Sequence, residues 1–157
     1  MRRKEGFSLV ELLIVLAVMA ALIATITPVA LNAIRKAKAT QVGQNMKTLA
    51  SAFENMLYVE GRTPTTISSL ARDIDDDKYG IAWAASSGTY TVVVWAIGEV
   101  SDTALKEVLS DAHYTSTAIK ELSEIEAVAG FEPTEGFTPT KENISGTAYY
   151  TFTVTAY

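Results

Sequence analysis

The sequence contains no cysteine. That excludes disulfides, thiolate zinc sites and a cysteine nucleophile. Histidine occurs once, at His113, so one chain cannot build a multi-histidine metal site. That residue is expected to cap or flank a helix end. The signatures G-x-S-x-G, G-x-G-x-x-G and the P-loop are missing too, so nothing marks an enzyme and no cofactor is called for. Positive charge is scarce: 13 Lys and Arg face 18 Asp and Glu, for a net −5. Without Arg2, Arg3, Lys4 and Glu5 the balance is 10 basic against 17 acidic, or −7. Such an acidic chain is poorly suited to nucleic acid, whose affinity comes from cationic contacts to phosphate.

What the chain does have is one long apolar run. Phe7 to Leu31 reads FSLVELLIVLAVMAALIATITPVAL, 25 residues with a single charge, Glu11. About 20 apolar residues span a bilayer as a helix, so this run is long enough. The remaining residues have ordinary polar balance and suffice for one small domain. A secretory signal would have a shorter core, about 7–15 residues, with a small-x-small cleavage site behind it. Here the first Ala-x-Ala after the run is Ala37-Lys38-Ala39, beyond a second basic cluster. A plain anchor held by cytoplasmic Arg2, Arg3 and Lys4 explains the run but neither Glu11 nor the Gly6-Phe7 junction. A carboxylate in hydrocarbon costs on the order of 2.5–3.5 kcal/mol on insertion scales, so Glu11 calls for a partner.

Lys4-Glu5-Gly6, then Phe7-Ser8-Leu9-Val10-Glu11, then Leu12-Leu13-Ile14-Val15-Leu16-Ala17-Val18 resembles the type IV pilin and pseudopilin family. The resemblance is close over the first third of the chain. It implies that residues 1–6 are a leader cleaved after Gly6 by a prepilin peptidase, and that the enzyme methylates the new Phe7 amine. It also implies that 7–31 stays as a membrane-spanning and filament-core helix. Implied partners are the peptidase/N-methyltransferase, an assembly platform with its ATPase, the cytoplasmic membrane before assembly, and copies of the chain itself. Glu11 then has a counter-charge in the Phe7 amine. That amine lies one turn away on its own helix or comes from a neighbouring subunit, where pairing would set subunit register.

The helical pattern continues past the apolar run. Leu31, Ile34, Val42, Met46, Leu49, Phe53 and Met56 recur at spacings near three and four, so residues 32–60 are expected to lay one stripe on a head domain. Gly61 and Pro64 supply the stop, giving a helix about 80 Å long at about 1.5 Å per residue. Pro28 interrupts it, because proline lacks an N–H and crowds the carbonyl of Ala24. Two outcomes are open there: an ordinary kink, or, as the resemblance implies, melting between about Ala20 and Thr27 in a filament.

Residues 61–157 form the expected head. A Pro/Thr/Ser loop holds a short helix over Ile67–Arg72. Ile81–Ala85 and Thr89–Ile97 read as strands joined by a hairpin at Ser86-Ser87-Gly88. The second strand is apolar on both faces and needs two covers. One is the long helix, and the other is a helical segment spanning Thr103–Val128. Tyr149–Thr155 alternates as a last strand. The fold class is therefore α+β, a long helix on a small antiparallel sheet, in agreement with the family fold. Extra helices depart from the simplest pilin head. The cysteine pair that closes the C-terminal loop of many family members is missing.

Several side chains stand out in the head. Asp73, Asp75, Asp76 and Asp77 form an acidic cluster. Asp73, Asp75 and Asp77 are candidate metal ligands, but EF-hand spacing is not met; a solvated loop, or pairing with an adjacent subunit, also fits. Gly130-Phe131-Glu132-Pro133-Thr134 is echoed by Gly136-Phe137-Thr138-Pro139-Thr140, and its prolines and glycines are expected to exclude regular structure. Phe131 and Phe137 should bury against their own head or against a neighbouring subunit or surface ligand. Asn143-Ile144-Ser145 fits an N-glycosylation acceptor. The chain thus reads as the precursor of a type IV pilus subunit, in the membrane with its N-terminus cytoplasmic and then in an extracellular filament. The alternatives are a type II secretion pseudopilin, with Gly61-Arg62-Thr63-Pro64-Thr65-Thr66 resembling a loop of the major pseudopilin, and a tethered binding module that never polymerises.

Overall fold

The computed structural model describes residues 7–139 and 145–156. The chain divides into two compact units, Met1–Arg35 and Lys36–Tyr157. Helix α1, Leu9–Asn55, runs through the boundary. In the first unit it is apolar on every side. Its large hydrophobic side chains there are all exposed, as is that of Phe7 just before it, from Leu31 at 49% to Phe7 at 86%. It is long and apolar enough to cross a membrane. Pro28 does not end it. The hydroxyls of Thr25 and Thr27 donate to the carbonyls of Leu22 and Ile23 at 2.9 and 2.7 Å, so two polar side chains are satisfied inside an apolar stretch.

In the second unit α1 becomes amphipathic and buries Ala39, Gly43, Met46, Leu49, Ala50 and Phe53. It widens into a π turn over Met56–Glu60 and stops at Gly61, whose φ of 63° and N–H bond to Leu57 O form a left-handed cap. Helix α2 covers Ile67–Leu70, started by Thr66, whose Oγ1 accepts the Ser69 N–H. Strands β1, Tyr79–Ser86, and β2, Thr89–Ile97, form the expected hairpin. Ser87 (φ 50°) and Gly88 (φ 81°) make its two-residue turn, and positive φ at both positions matches the twist of the flanking strands. Helix α3 spans Asp102–Val108, strand β3 Ala112–Thr115, a 3-10 turn Leu122–Glu124, helix α4 Ile125–Ala129, strand β4 Glu135–Phe137 and strand β5 Thr147–Thr155. The sheet is antiparallel with order β3-β5-β2-β1-β4. The fold is α+β, a long helix packed on a five-stranded sheet with short helices.

Two cores lie on the two faces of that sheet. On one, Met46, Leu49 and Phe53 of α1 meet Ile81, Trp83, Val92 and Val94. Phe53 sits 5.4 Å from the Trp83 ring. On the other, Ala82, Val93, Trp95 and Ile97 are covered by Ile119 and Ile125. The double burial of β2 is therefore as its sequence required, but the second cover differs from the expected one. Thr103–Val128 is not one helical segment. Its first part, with Ala104, Leu105, Leu109 and Ala112, joins the α1 side, and its middle is strand β3. Leu105, Leu109 and Ala112 have helical spacing, yet Ala112 is claimed by a ladder to Tyr150 on β5, a partner far away in sequence. Only residues from about 118 onward cross to the other face. They are pinned there by Thr147, a buried threonine whose Oγ1 accepts the Ile119 N–H at 3.0 Å.

The C-terminal strand needs no disulfide to be held. β5 lies inside the sheet, paired along nine residues with β2 and along four with β3. Gly80 shows how tightly the sheet meets its second core, because a Cβ there would run into the Trp95 indole.

Candidate functional site

Three residues at the start of α1 act together. Ser8 caps the helix: its Oγ accepts the Val10 N–H at 3.4 Å. Glu11, in the first turn, returns its Oε2 to the Ser8 N–H at 2.9 Å. A carboxylate three residues after a serine cap satisfies a backbone donor that the helix cannot. It also sits where the helix dipole favours negative charge. Glu11 is thus bonded to the backbone next to Phe7, whose side chain is exposed. Ser8 is the residue that sequence reasoning passed over. The signal was present, since Ser8-Leu9-Val10-Glu11 has the S-x-x-E spacing of a capping box. Gly6 lies outside the described residues, as does the rest of the leader. Pro28 is 17 positions further along the same helix and takes no part in this cluster.

The head places the remaining candidates elsewhere. Among the described residues no group of three acidic or histidine side chains is arranged to hold a metal ion. Asp75 instead shapes its own turn. Its Oδ1 accepts the Asp77 N–H at 3.1 Å and its Oδ2 pairs with Lys78 at 2.6 Å. That hydrogen bond raises the affinity of Lys78 for its proton. Asp73 is exposed. His113 neither caps nor flanks a helix. It is an exposed residue of β3, stacked 5.3 Å from the Tyr149 ring, because the β3–β5 ladder sets the two side by side.

The two phenylalanines of the near-repeat pack on their own head. Phe137 meets Trp83 at 5.9 Å, and Phe131 packs on the second core. The prolines and glycines of the repeat predict an irregular segment, but part of it is a regular strand. Glu135–Phe137 pairs with Trp83–Ile81, and the Thr134 N–H donates to Trp83 O at 3.0 Å. Gly136 allows this, since a side chain there would meet Ala82. The triplet Asn143-Ile144-Ser145 falls mostly outside the described residues.

A serine–glutamate cap, an exposed phenylalanine and an unbroken apolar helix thus occur together at the N-terminus. Residues 1–27 match the family model of the prokaryotic N-terminal methylation motif. The chain carries the class III signal peptide of type IV pilins and pseudopilins. The methylation motif covers the leader, Phe7, Glu11 and most of the apolar run, and stops before Pro28. It supports a pilin-like or pseudopilin precursor and a structural protein. It implies processing by a prepilin peptidase and assembly with pilus machinery in general, and its apolar helix suggests membrane insertion. No curated protein and no solved structure matches the chain.

Proposed function

We propose that this chain is the precursor of a type IV pilus subunit. It waits in the cytoplasmic membrane as a single-pass protein with a cytoplasmic N-terminus. It is cleaved between Gly6 and Phe7, methylated at Phe7 and assembled through residues 7–31 into an extracellular filament. One observation carries the reading: through the methylation motif and just past it, every large apolar side chain of 7–31 is left uncovered by its own chain. A surface of that kind needs a bilayer or other copies of itself. Glu11 supplies register by pairing with the Phe7 amine of a neighbour. A charge pair in a low-dielectric bundle is favourable only in one alignment. The peptidase, the assembly platform and its ATPase are the partners of this reading, and no catalytic role belongs to the subunit.

The test is the intact mass and N-terminal sequence of the protein from its native membrane and from sheared surface material. Methylated Phe7 at the N-terminus in a long sheared filament supports a pilus subunit. The same end found only in short filaments that never leave the envelope supports a secretion pseudopilin. A chain still starting at Met1 in the membrane sinks both and leaves a tethered module.

A further inference from the structure

The face of α1 that points away from the sheet has an unusual composition. Gln41, Gln44, Thr48, Ser51, Asn55 and Tyr58 are all exposed. They recur at spacings of three and four, so they form one stripe opposite the buried Met46, Leu49 and Phe53. None carries a charge, although an exposed helix face is normally laced with charged residues. Tyr58 and its neighbour Val59 are large hydrophobics left open beyond the apolar run, at 59% and 81% exposure. One flank of the stripe carries two charges of opposite sign, Lys47 and Glu54. Neither has an ion-pair partner among the described residues, whereas Lys36 on the same flank is taken by Glu107 at 3.1 Å.

Seven residues separate Lys47 from Glu54. Seven residues make two helical turns to within about 20°, so the two side chains stand in line on one flank, about 10.5 Å apart along the axis. They are too far apart to pair with each other. A parallel second copy, displaced along the axis by those two turns, brings its Glu54 level with the first copy's Lys47. A third copy repeats the contact, so one complementary pair serves every subunit of a polymer. The neutral stripe beside that flank lets successive copies approach without like-charge repulsion. Other occupants fit less well: a polyanion would find one lysine beside one glutamate, and a basic partner the reverse.

We propose that α1 continues the contact between subunits beyond the apolar run, with Lys47 of one copy paired to Glu54 of the next. This rests on the reading of the chain as a polymerising subunit, and it names a second register contact, in the head, apart from Glu11.

Charge exchange in the full-length precursor, expressed in its own host, tests it. K47E and E54K should each lower the yield of sheared filament about tenfold with N-terminal cleavage unchanged, and the combined K47E/E54K should restore it. Wild-type yield from both single variants, or a combined variant as poor as they are, overturns the pairing. A second measurement does not depend on yield. The chain has no cysteine, and positions 47 and 54 of one helix are beyond the roughly 7 Å reach of a disulfide. K47C/E54C filaments should therefore give a ladder of linked subunits on mild oxidation, and K47C alone none. Filaments without a ladder overturn the inference while leaving the pilin reading intact. A wild-type chain that is never cleaved or polymerised sinks both together.

Discussion

Glu11 accepts the backbone N–H of Ser8 at 2.9 Å, so the one acidic side chain of the apolar run is committed to its own helix start. The other carboxylate oxygen is left for a second donor, and in the proposed filament that donor is a Phe7 amine. Capping and charge can be separated by substitution. Glu11→Gln keeps an acceptor for Ser8 but removes the charge; Glu11→Ala removes both. Both variants are expected to lose filament assembly, scored as sheared protein, by at least about tenfold. A cap is worth about 1 kcal/mol, so a role in capping alone predicts that Glu11→Gln assembles normally. That result would refute the register role.

Gly80 lies against the Trp95 indole with no room for a methyl group. Gly80→Ala should cost about 1–3 kcal/mol of head stability, the usual penalty of overpacking. Thermal unfolding of the detergent-solubilised chain, followed by tryptophan fluorescence, measures it. An unchanged melting temperature would mean that the sheet relaxes there.

Thr147 holds the segment that closes the second core. Thr147→Val preserves shape but leaves the Ile119 N–H without its acceptor in a buried setting. An unsatisfied buried donor costs about 1–3 kcal/mol. Hydrogen exchange should show residues from about 118 to 131 opening first, because they lie on the far side of the sheet from α1. Uniform loss of protection across the head would argue against this local role.

Alkaline pH should destabilise the head. Burial raises Tyr79, whose phenol accepts from Asn45 Nδ2 at 3.0 Å, above its ordinary value near 10. Burial also raises Tyr150, with Asp111 and Glu54 adding to it. Each phenol holds its proton more tightly when folded. Its contribution is therefore complete below the unfolded value and is lost as pH rises through the folded one. A stability profile should be flat up to about pH 9 and fall above 10, with Tyr79→Phe flattening part of the fall. A profile that declines equally in the variant would remove Tyr79 from the account.

Local chemistry made much of this readable in advance. The α1 helix, its stop at Gly61, the Ser87-Gly88 turn and strand β2 from Thr89 to Ile97 all follow from periodicity and turn residues, which act over a few positions. The short strand at Glu135–Phe137 did not. Prolines flank it and Gly136 sits inside it, and it exists because the Ile81–Trp83 edge of β1 offers backbone groups to pair with. His113 was placed at a helix end for the same kind of reason: the pattern near it is helical, and its actual partner, Tyr149, is 36 positions away.

By itself the sequence determined the N-terminal motif, the apolar helix and the α+β class, because cleavage signals, membrane-length runs and amphipathic periods are written in neighbouring residues. It also determined that β2 would be buried on both sides. Only the tertiary structure decided what covers each face: Leu105 and Ala112 with the long helix, Ile119 and Ile125 opposite. It likewise decided that Phe131 and Phe137 turn to different cores and that Lys47 and Glu54 have no ion-pair partner among the described residues. Those outcomes depend on which apolar surfaces and backbone edges meet across long sequence distances, and no local pattern encodes that choice.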